Sequence, residues 1–283
     1  MIYITGDTHG PNPIGLHSVD GFGRRLNREN FPEQKEMTRD DFIIICGDFG
    51  GIWNYDSRYD STRSTFKEKI CLDHGESKEE QYWLDWLAKK SFTILYCDGN
   101  HENHDRLSKA YPEVDFNGGR AHKIRENVYH LMRGYVYDLC GVSIFVFGGA
   151  KSHDISGGIL RPYEFHTEKE FKTAYKELRE AGTLFRVDHI SWWKEELPSE
   201  EEMERGLKNL SMHNWAVDYV ISHCAPASIA ADAGFSDEDR LTQYLEKIRE
   251  RLNFQCWFFG HYHGNCQIHK RYFMLYDQIL KIQ

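Results

Sequence analysis

The stretch MIYITGDTHG, residues 1–10, places five apolar or β-prone residues directly before a polar turn. A short run of β-branched and aromatic residues that stops at glycine and polar groups is typical of a buried strand. The same arrangement returns in FIIIC before GDFGG, FTILYC before DGNHE, VSIFVF before GGAKSHD, WAVDYVIS before HCAP, and QCWFFG before HYHGN. We therefore expect six buried strands, each of which ends in a polar cluster.

Helical patterns separate these strands. Capping-box spacing marks two helix starts, at Ser77 with Glu80 and at Ser199 with Glu202. Apolar residues recur with helical spacing in residues 171–178. The closing segment CQIHKRYFMLYD alternates and predicts an antiparallel hairpin. Strands that alternate with helices, followed by late strand pairs, predict an α/β sandwich with a mixed sheet.

Composition bounds the class of protein. The chain has 283 residues, of which 40% are hydrophobic and 28% charged, and its net charge is −9. These values exclude disordered, collagen-like and coiled-coil classes, and the acidic balance argues against a protein that coats nucleic acid or anionic membrane. Seven cysteines without a CxxC pair, and the lack of an apolar leader or span, favour a cytoplasmic protein with free thiols. We expect one domain, residues 1–283, with an inserted cap-like or lid-like segment around 151–211.

Side chains that bind metals follow the predicted strands. They are Asp7, His9, Asp48, Asn100, His101, His223, His261 and His263. Oxygen and imidazole-nitrogen donors suit divalent cations. Taken singly, each of these groups is most often a turn or structural residue. Burying so many of them together without an ion would be costly, so their joint occurrence predicts a metal site.

In this order, the blocks GDTHG, GDFGG, GNHE, SHCAP and GHYH resemble the signature of the calcineurin-like metallophosphoesterase superfamily. GGAKSHD followed by SWWKEELPS resembles a bacterial and phage branch of it. The resemblance implies a double β-sandwich of mixed sheets flanked by helices. It also implies two divalent metal ions (Mn, Fe or Zn), one held by Asp7, His9 and His263, the other by Asn100, His223 and His261, with Asp48 bridging both. His101 would be the proton donor to the leaving oxygen, after attack by a metal-bridging hydroxide.

The second block departs from one branch of the superfamily. Its protein phosphatases carry GDxxDRG there, whereas this chain has Gly51 and Ile52 at the positions of that Asp and Arg. The charge of the phosphate must therefore be met by other groups. The expected substrate contacts are Gly50, Gly51, Lys151 and His153, and the cations considered are Arg58, Arg63, Lys151, Arg161 and Arg186.

The resemblance and the missing DRG element favour a phosphoesterase that acts on small or nucleotide-type phosphodiesters or phosphomonoesters. The alternatives are a protein Ser/Thr phosphatase-like enzyme, a nuclease, and a metal-bound scaffold without activity. The expected partner is a phosphoester substrate and not a membrane. The net charge does not indicate nucleic acid, and the sequence leaves the oligomeric state open.

Overall fold

Two β-sheets, one of seven strands and one of six, form the centre of the molecule. The computed structural model describes residues 1–11, 21–53, 75–235 and 238–283, together with the backbone of residues 56–59 and 70–73. Numbered along the chain, the strands of the first sheet are, in order across it, β17 (Ile279–Lys281), β1 (Ile2–Thr5), β2 (Phe42–Ile45), β5 (Thr93–Tyr96), β8 (Val128–Leu131), β7 (Gly119–Arg125) and β6 (Glu113–Phe116). Those of the second are β15 (Cys266–Ile268), β16 (Tyr272–Met274), β14 (Cys256–Phe259), β13 (Tyr219–Ser222), β10 (Val142–Phe147) and β9 (Tyr135–Leu139). Two strand pairs stand apart, β3 (Asp56–Tyr59) with β4 (Ile70–Asp73) and β11 (Ile159–Leu160) with β12 (Arg186–Val187).

Seven α-helices lie in the described residues. They are α1 (Phe22–Arg25), α2 (Lys78–Ala88), α3 (His104–Lys109), α4 (Glu168–Glu180), α5 (Glu200–Met212), α6 (Ala227–Asp232) and α7 (Arg240–Arg251), with 3-10 turns at Pro32–Glu36, Pro162–Glu164 and Lys194–Glu196. The two predicted capping boxes are confirmed, because Ser77 caps α2 and Ser199 caps α5. None of these helices combines the length and apolar character needed to cross a bilayer.

Parallel strands occupy the middle of both sheets. In the first sheet β1, β2, β5 and β8 are parallel neighbours, and in the second β10, β13, β14 and β16 are. All six predicted strands belong to these two sets, and the predicted closing hairpin is the antiparallel pair β15–β16. The carboxyl ends of parallel strands meet at one edge of a sheet, so the polar clusters that follow them are brought together.

Apolar side chains fill the space between the sheets and cover their outer faces. Ile4 and Ile44 of the first sheet belong to the same buried cluster as Val146 and Ile221 of the second. A second cluster packs the outer face of the first sheet against α1 and α2, and a third packs the second sheet against α5, α6 and α7. Each sheet is therefore covered on both faces, which confirms the expected double β-sandwich of mixed sheets flanked by helices.

The segment around residues 151–211 shows no strand pattern in its sequence, but it contains the two-residue strands β11 and β12, which pair in parallel. Its helices differ in burial. No residue of α4 is buried, whereas α5 buries Gly206 and Leu210 against the second sheet. The segment is also tied to α3, because Trp193 Nε1 donates to Asp105 Oδ2 over 2.8 Å.

A buried ion pair joins the first sheet to this segment. Asp98 follows β5, and its carboxylate accepts from Arg133 Nε at 2.8 Å, while its backbone oxygen accepts from Gly149. The same guanidinium donates to the backbone oxygen of Glu195 at 2.8 Å. The side chains of Asp98 and Arg133 are only 2% and 4% exposed. The buried guanidinium of Arg133 therefore links the end of β5, the turn before β9 and the segment around residues 151–211.

We expect Arg133→Met to lower the free energy of unfolding by ~3–5 kcal/mol, because removing one partner leaves a buried carboxylate uncompensated. Arg120→Met is the matched control, since Arg120 pairs with Asp115 and Glu113 on the surface and such pairs contribute ~0–1 kcal/mol. Urea unfolding of both variants measures the difference. Equal losses in the two variants would contradict the role given to the buried pair.

Candidate metal centre

Five loops that follow parallel strands bring the predicted ligands to one place. Asp7 follows β1, Asp48 follows β2, Asn100 follows β5, His223 follows β13 and His261 follows β14. Four of these side chains, Asp7, Asp48, Asn100 and His223, are buried. The donor atoms of Asp7, Asp48 and His223 form one of three groups, and within each group all candidate ligand atoms lie within 4.8 Å of one another.

Asp7, Asp48 and His223 form the buried centre of the site. His223 Nε2 is 3.4 Å from Asp48 Oδ2, and its Nδ1 is 3.8 Å from Asp7 Oδ1 and 2.7 Å from the backbone oxygen of Cys46. Burial opposes a charge on His223, but the Asp48 and Asp7 carboxylates outweigh it and raise its pKa to about 10. The two carboxylates therefore demand positive charge at this point.

The second group contains Asp7, His9 and His263. His9 Nε2 lies 2.9 Å from His263 Nε2 and 3.7 Å from Asp7 Oδ2, and His263 Nε2 lies 3.3 Å from the same carboxylate oxygen. The two imidazole nitrogens and the carboxylate oxygen thus face one point. These three donors come from the first and last motifs of the sequence.

Asn100 and His261 lie beside the buried centre. Asn100 Oδ1 is 3.3 Å from His223 Nε2, and the His261 ring is 5.0 Å from the His223 ring. The backbone N–H of His261 donates to both oxygens of Asp7, at 3.0 and 2.9 Å. Burial and the neighbouring His223 keep the pKa of His261 well below its ordinary value, so its imidazole is neutral and has a lone pair to offer.

His153 faces the same ring. His153 Nε2 is 2.6 Å from His261 Nε2, and two ring nitrogens at this distance require a shared proton or cation. The sequence predicts His153 as a substrate contact. In the structure its ring contacts His261, a predicted metal ligand.

The donor set fits divalent cations. Asp7 and Asp48 are buried carboxylates, and within the described ranges no Lys or Arg forms an ion pair with either, so histidines alone balance them. Pairs of imidazole nitrogens also face each other at 2.9 and 2.6 Å. Carboxylate oxygen, amide oxygen and imidazole nitrogen are donors that Mn, Fe and Zn accept. A cation at this place would supply the positive charge that otherwise falls on His223.

The backbone is strained where the ligands are. Four of them, Asp48, His9, His261 and His263, have φ values of 46°, 48°, 68° and 50°. A side chain other than glycine in the left-handed region costs about 1–3 kcal/mol and persists only when the surroundings fix it. Strained residues of this kind are concentrated at functional sites. Here the strained backbone of the loops directs these four side chains towards the centre.

Glycines before the ligands permit the loops to touch. A Cβ on Gly99 would lie 2.0 Å from Asp48 Oδ1, and a Cβ on Gly260 would lie 1.9 Å from Asp7 Oδ1. The backbone at Gly99, directly before Asn100, therefore contacts the Asp48 carboxylate. The backbone at Gly260, directly before His261, contacts the Asp7 carboxylate. This contact explains why glycine directly precedes both ligands.

His101 borders the centre. Its backbone N–H donates to Asp48 Oδ1 over 2.7 Å, and its ring lies 5.2 Å from that of His9. Burial lowers the pKa of His101 to about 4, with Asp48 opposing this and Arg186 adding to it. Together with His9 and Asp48, His101 makes up the third candidate group, so it lies within reach of the same centre.

The other predicted substrate contacts are Gly50, Gly51 and Lys151. Gly50 lies so close to the first motif that a Cβ would be 2.4 Å from the backbone nitrogen of Gly10. Gly50 and Gly51 border a cavity of about 250 Å³ whose aromatic wall includes Trp53 and Trp83. Lys151 is exposed. Of the cations considered, Arg63 and the side chain of Arg58 lie outside the described residues, and Arg186 is the one in contact with His101.

Two supporting ion pairs have no local signal in the sequence. Arg186 is one of five candidate cations, and nothing near it in the sequence indicates that Asp154 holds it. The pair of Asp98 and Arg133 was not predicted. A charged residue at the end of a buried strand indicates that a partner exists, but the partner lies 35 residues away and no spacing rule points to it.

Comparison with known proteins agrees with this geometry. The sequence profile of the calcineurin-like phosphoesterase family matches residues 1–265, nearly the whole chain. The matched range includes every strand-end donor described above, from Asp7 to His263. No curated protein gave a significant match to the chain.

We expect Gly99→Ala to weaken binding of Mn²⁺ by at least about 10-fold, the size of effect seen when the surroundings of metal ligands are disturbed. The added methyl group would displace the Asp48 carboxylate. Gly75→Ala is the control, because a Cβ there meets no described atom within 4 Å. Calorimetric titration with Mn²⁺ measures both variants, and unchanged affinity in Gly99→Ala would contradict the close contact.

Proposed function

Because the chain belongs to the calcineurin-like phosphoesterase family, we propose that the donors at its strand ends hold the two divalent ions with which this family hydrolyses phosphoesters. The enzyme is a metal-dependent phosphoester hydrolase. When bound, the ions activate water and polarise the phosphoryl group. The observation that carries the proposal is the buried pair Asp7 and Asp48, which faces imidazole nitrogens from several loops.

The proposed assignment divides seven side chains between the ions. Asp7, His9 and His263 hold one, Asn100, His223 and His261 hold the other, and Asp48 contacts both. Support comes from the short separations of His9, His263 and Asp7 on one side and of His223, Asn100 and Asp48 on the other. Asp48 Oδ2 lies 3.9 Å from His9 Nε2 of the first set and 3.4 Å from His223 Nε2 of the second, which supports its shared role. The donor types suit Mn, Fe or Zn without choosing among them.

His101 is the proposed proton donor to the leaving oxygen. Its backbone bond to Asp48 fixes the start of the loop, and its ring lies beside His9 at the edge of the centre. A general acid must carry a proton, and the pKa of His101 is low in the free site. The negative charge of a bound phosphoryl group opposes the effect of Arg186 and favours the protonated ring.

The substrates we propose are small or nucleotide-type phosphodiesters and phosphomonoesters. The cavity beside Gly50 and Gly51 supports this, since its volume of about 250 Å³ and its Trp53 and Trp83 walls suit a compact or ring-bearing leaving group. Lys151 and His153, on the loop after β10, are proposed as further contacts. We also assign the chain to a bacterial and phage branch of the family, on GGAKSHD and SWWKEELPS.

Hydrolysis of mono- and bis-nitrophenyl phosphate with added Mn²⁺ tests this function. We expect Asp48→Asn to lose activity by more than ~10²-fold, since changes that merely surround metal ligands already cost about 10- to 100-fold. Asp115→Asn, at a side chain 92% exposed, is the control and should retain full activity. Full activity in Asp48→Asn would refute the shared position of this carboxylate.

Replacing His101 tests its role through the leaving group. We expect His101→Asn to lose ~10²–10⁴-fold in kcat on an alkyl phosphate, whose leaving oxygen needs a proton. On nitrophenyl phosphate the loss should be much smaller, because nitrophenolate leaves without one. Steady-state kinetics on both esters measures the contrast. Equal losses on the two esters would show that His101 acts in another way.

A further inference from the structure

Arg186 lies on the ring of the proposed proton donor, although it comes from the inserted segment. Its Nη2 is 3.3 Å from Nδ1 and 3.2 Å from Nε2 of His101. In the ring plane, an atom so close to both nitrogens would overlap the carbon between them. Nη2 therefore lies over the face of the ring, and both nitrogen edges of His101 stay available to other groups.

Asp154 holds the guanidinium in a fixed plane. Its Oδ1 and Oδ2 lie 2.8 and 2.9 Å from Arg186 Nε, and Oδ2 lies 2.6 Å from Nη2. Arg186 Nη1 also donates to the backbone oxygen of Ser191 at 2.9 Å. A two-pronged contact of this kind fixes orientation as well as position. The side chain of Arg186 is 9% exposed and that of Asp154 is 43% exposed. The cation is therefore nearly buried, whereas the carboxylate that holds it is partly open to solvent.

The anchored cation keeps donors for another ligand. Arginine has five N–H groups, and three of them are directed at Asp154 and Ser191. Of the remaining two, the one on Nη2 faces the ring of His101, and the one on Nη1 has no acceptor among the described residues. A nearly buried donor without an acceptor is unfavourable, and a phosphoryl oxygen bound next to His101 would provide one.

We propose that Arg186, held by Asp154, binds a phosphoryl oxygen of the substrate. The inference rests on the proposed function and extends it, because it names the cation that meets the phosphate. Ile52, the residue at the corresponding place in the second motif, is buried in the apolar core and carries no charge. Arg186 is thus a substrate-binding residue, and Asp154 is a positioning residue that acts through it.

Binding of inorganic phosphate to the Mn²⁺-loaded protein, followed by calorimetry, tests this without turnover. We expect Arg186→Met to weaken phosphate binding at least 10-fold and to lower kcat/KM on nitrophenyl phosphate by ~10²-fold, as loss of one preorganised donor does. Arg186→Lys should lie between, because lysine keeps the charge but not the fork. Metal content should stay as in the wild type. Unchanged phosphate affinity in Arg186→Met would overturn the proposal.

Arg161→Met is the matched control. Arg161 lies in the same inserted segment, and it pairs only at 3.9 Å with the exposed Glu164. The phosphate affinity and kcat/KM of the Arg161→Met variant should stay within twofold of the wild type. Equal losses in Arg161→Met and Arg186→Met would indicate a general charge effect and contradict a specific contact.

A double-mutant cycle separates Asp154 from Arg186. Asp154→Asn should weaken phosphate binding on its own, but add no further loss to Arg186→Met if it acts through the arginine. Additive losses would overturn its positioning role. Urea unfolding of each variant checks the fold, and Arg186→Lys serves if Arg186→Met fails to fold. A wild-type protein that binds phosphate through Arg186 but hydrolyses no ester would refute the proposed function and leave the contact standing.

Discussion

The repulsion between two buried carboxylates governs the rest of this structure. Asp7 and Asp48 lie without solvent, and His223 between them has its pKa raised to about 10 because the pair requires positive charge. A buried charge is tolerated only when it is paired or coordinates a metal. Several neighbouring ligand residues have strained φ values, and glycines let the loops come into contact. Both features bring cation-binding donors close to Asp7 and Asp48.

The segment around residues 151–211 brings side chains to the candidate metal centre. It brings His153 to His261 and Arg186 to His101, and it is itself fastened by Trp193 to Asp105 in α3. Gly51 and Ile52 leave the second motif without a cationic side chain of its own. In the proposed assignment, the phosphate-binding cation and the metal ligands come from different parts of the chain, so the source of the cation could change without moving the ligands.

The sequence was sufficient for features that depend on neighbours along the chain. The six strands were predictable from short apolar runs, and the capping boxes at Ser77 and Ser199 from a three-residue spacing. The gathering of Asp7, Asp48 and His223 followed from the rule that parallel strands end at one edge. The contact of Arg186 with His101 spans 85 residues, and no local pattern encodes it. The strands β11 and β12 were missed because two residues carry no periodicity.

The pairing of β1 with β17 gives this architecture a temporal property. Tyr3 lies opposite Lys281, so the strand that leads to Asp7 pairs with a segment that follows it along almost the whole described chain. His261, whose backbone N–H donates to Asp7, also lies 254 residues further along the chain. A nascent chain therefore carries its first acidic loop without these neighbours until β14 and β17 have been synthesised. Of the strands in the first sheet, β17 is the last to be made, so the surroundings of Asp7 are completed only after the other strand-end donors have been translated.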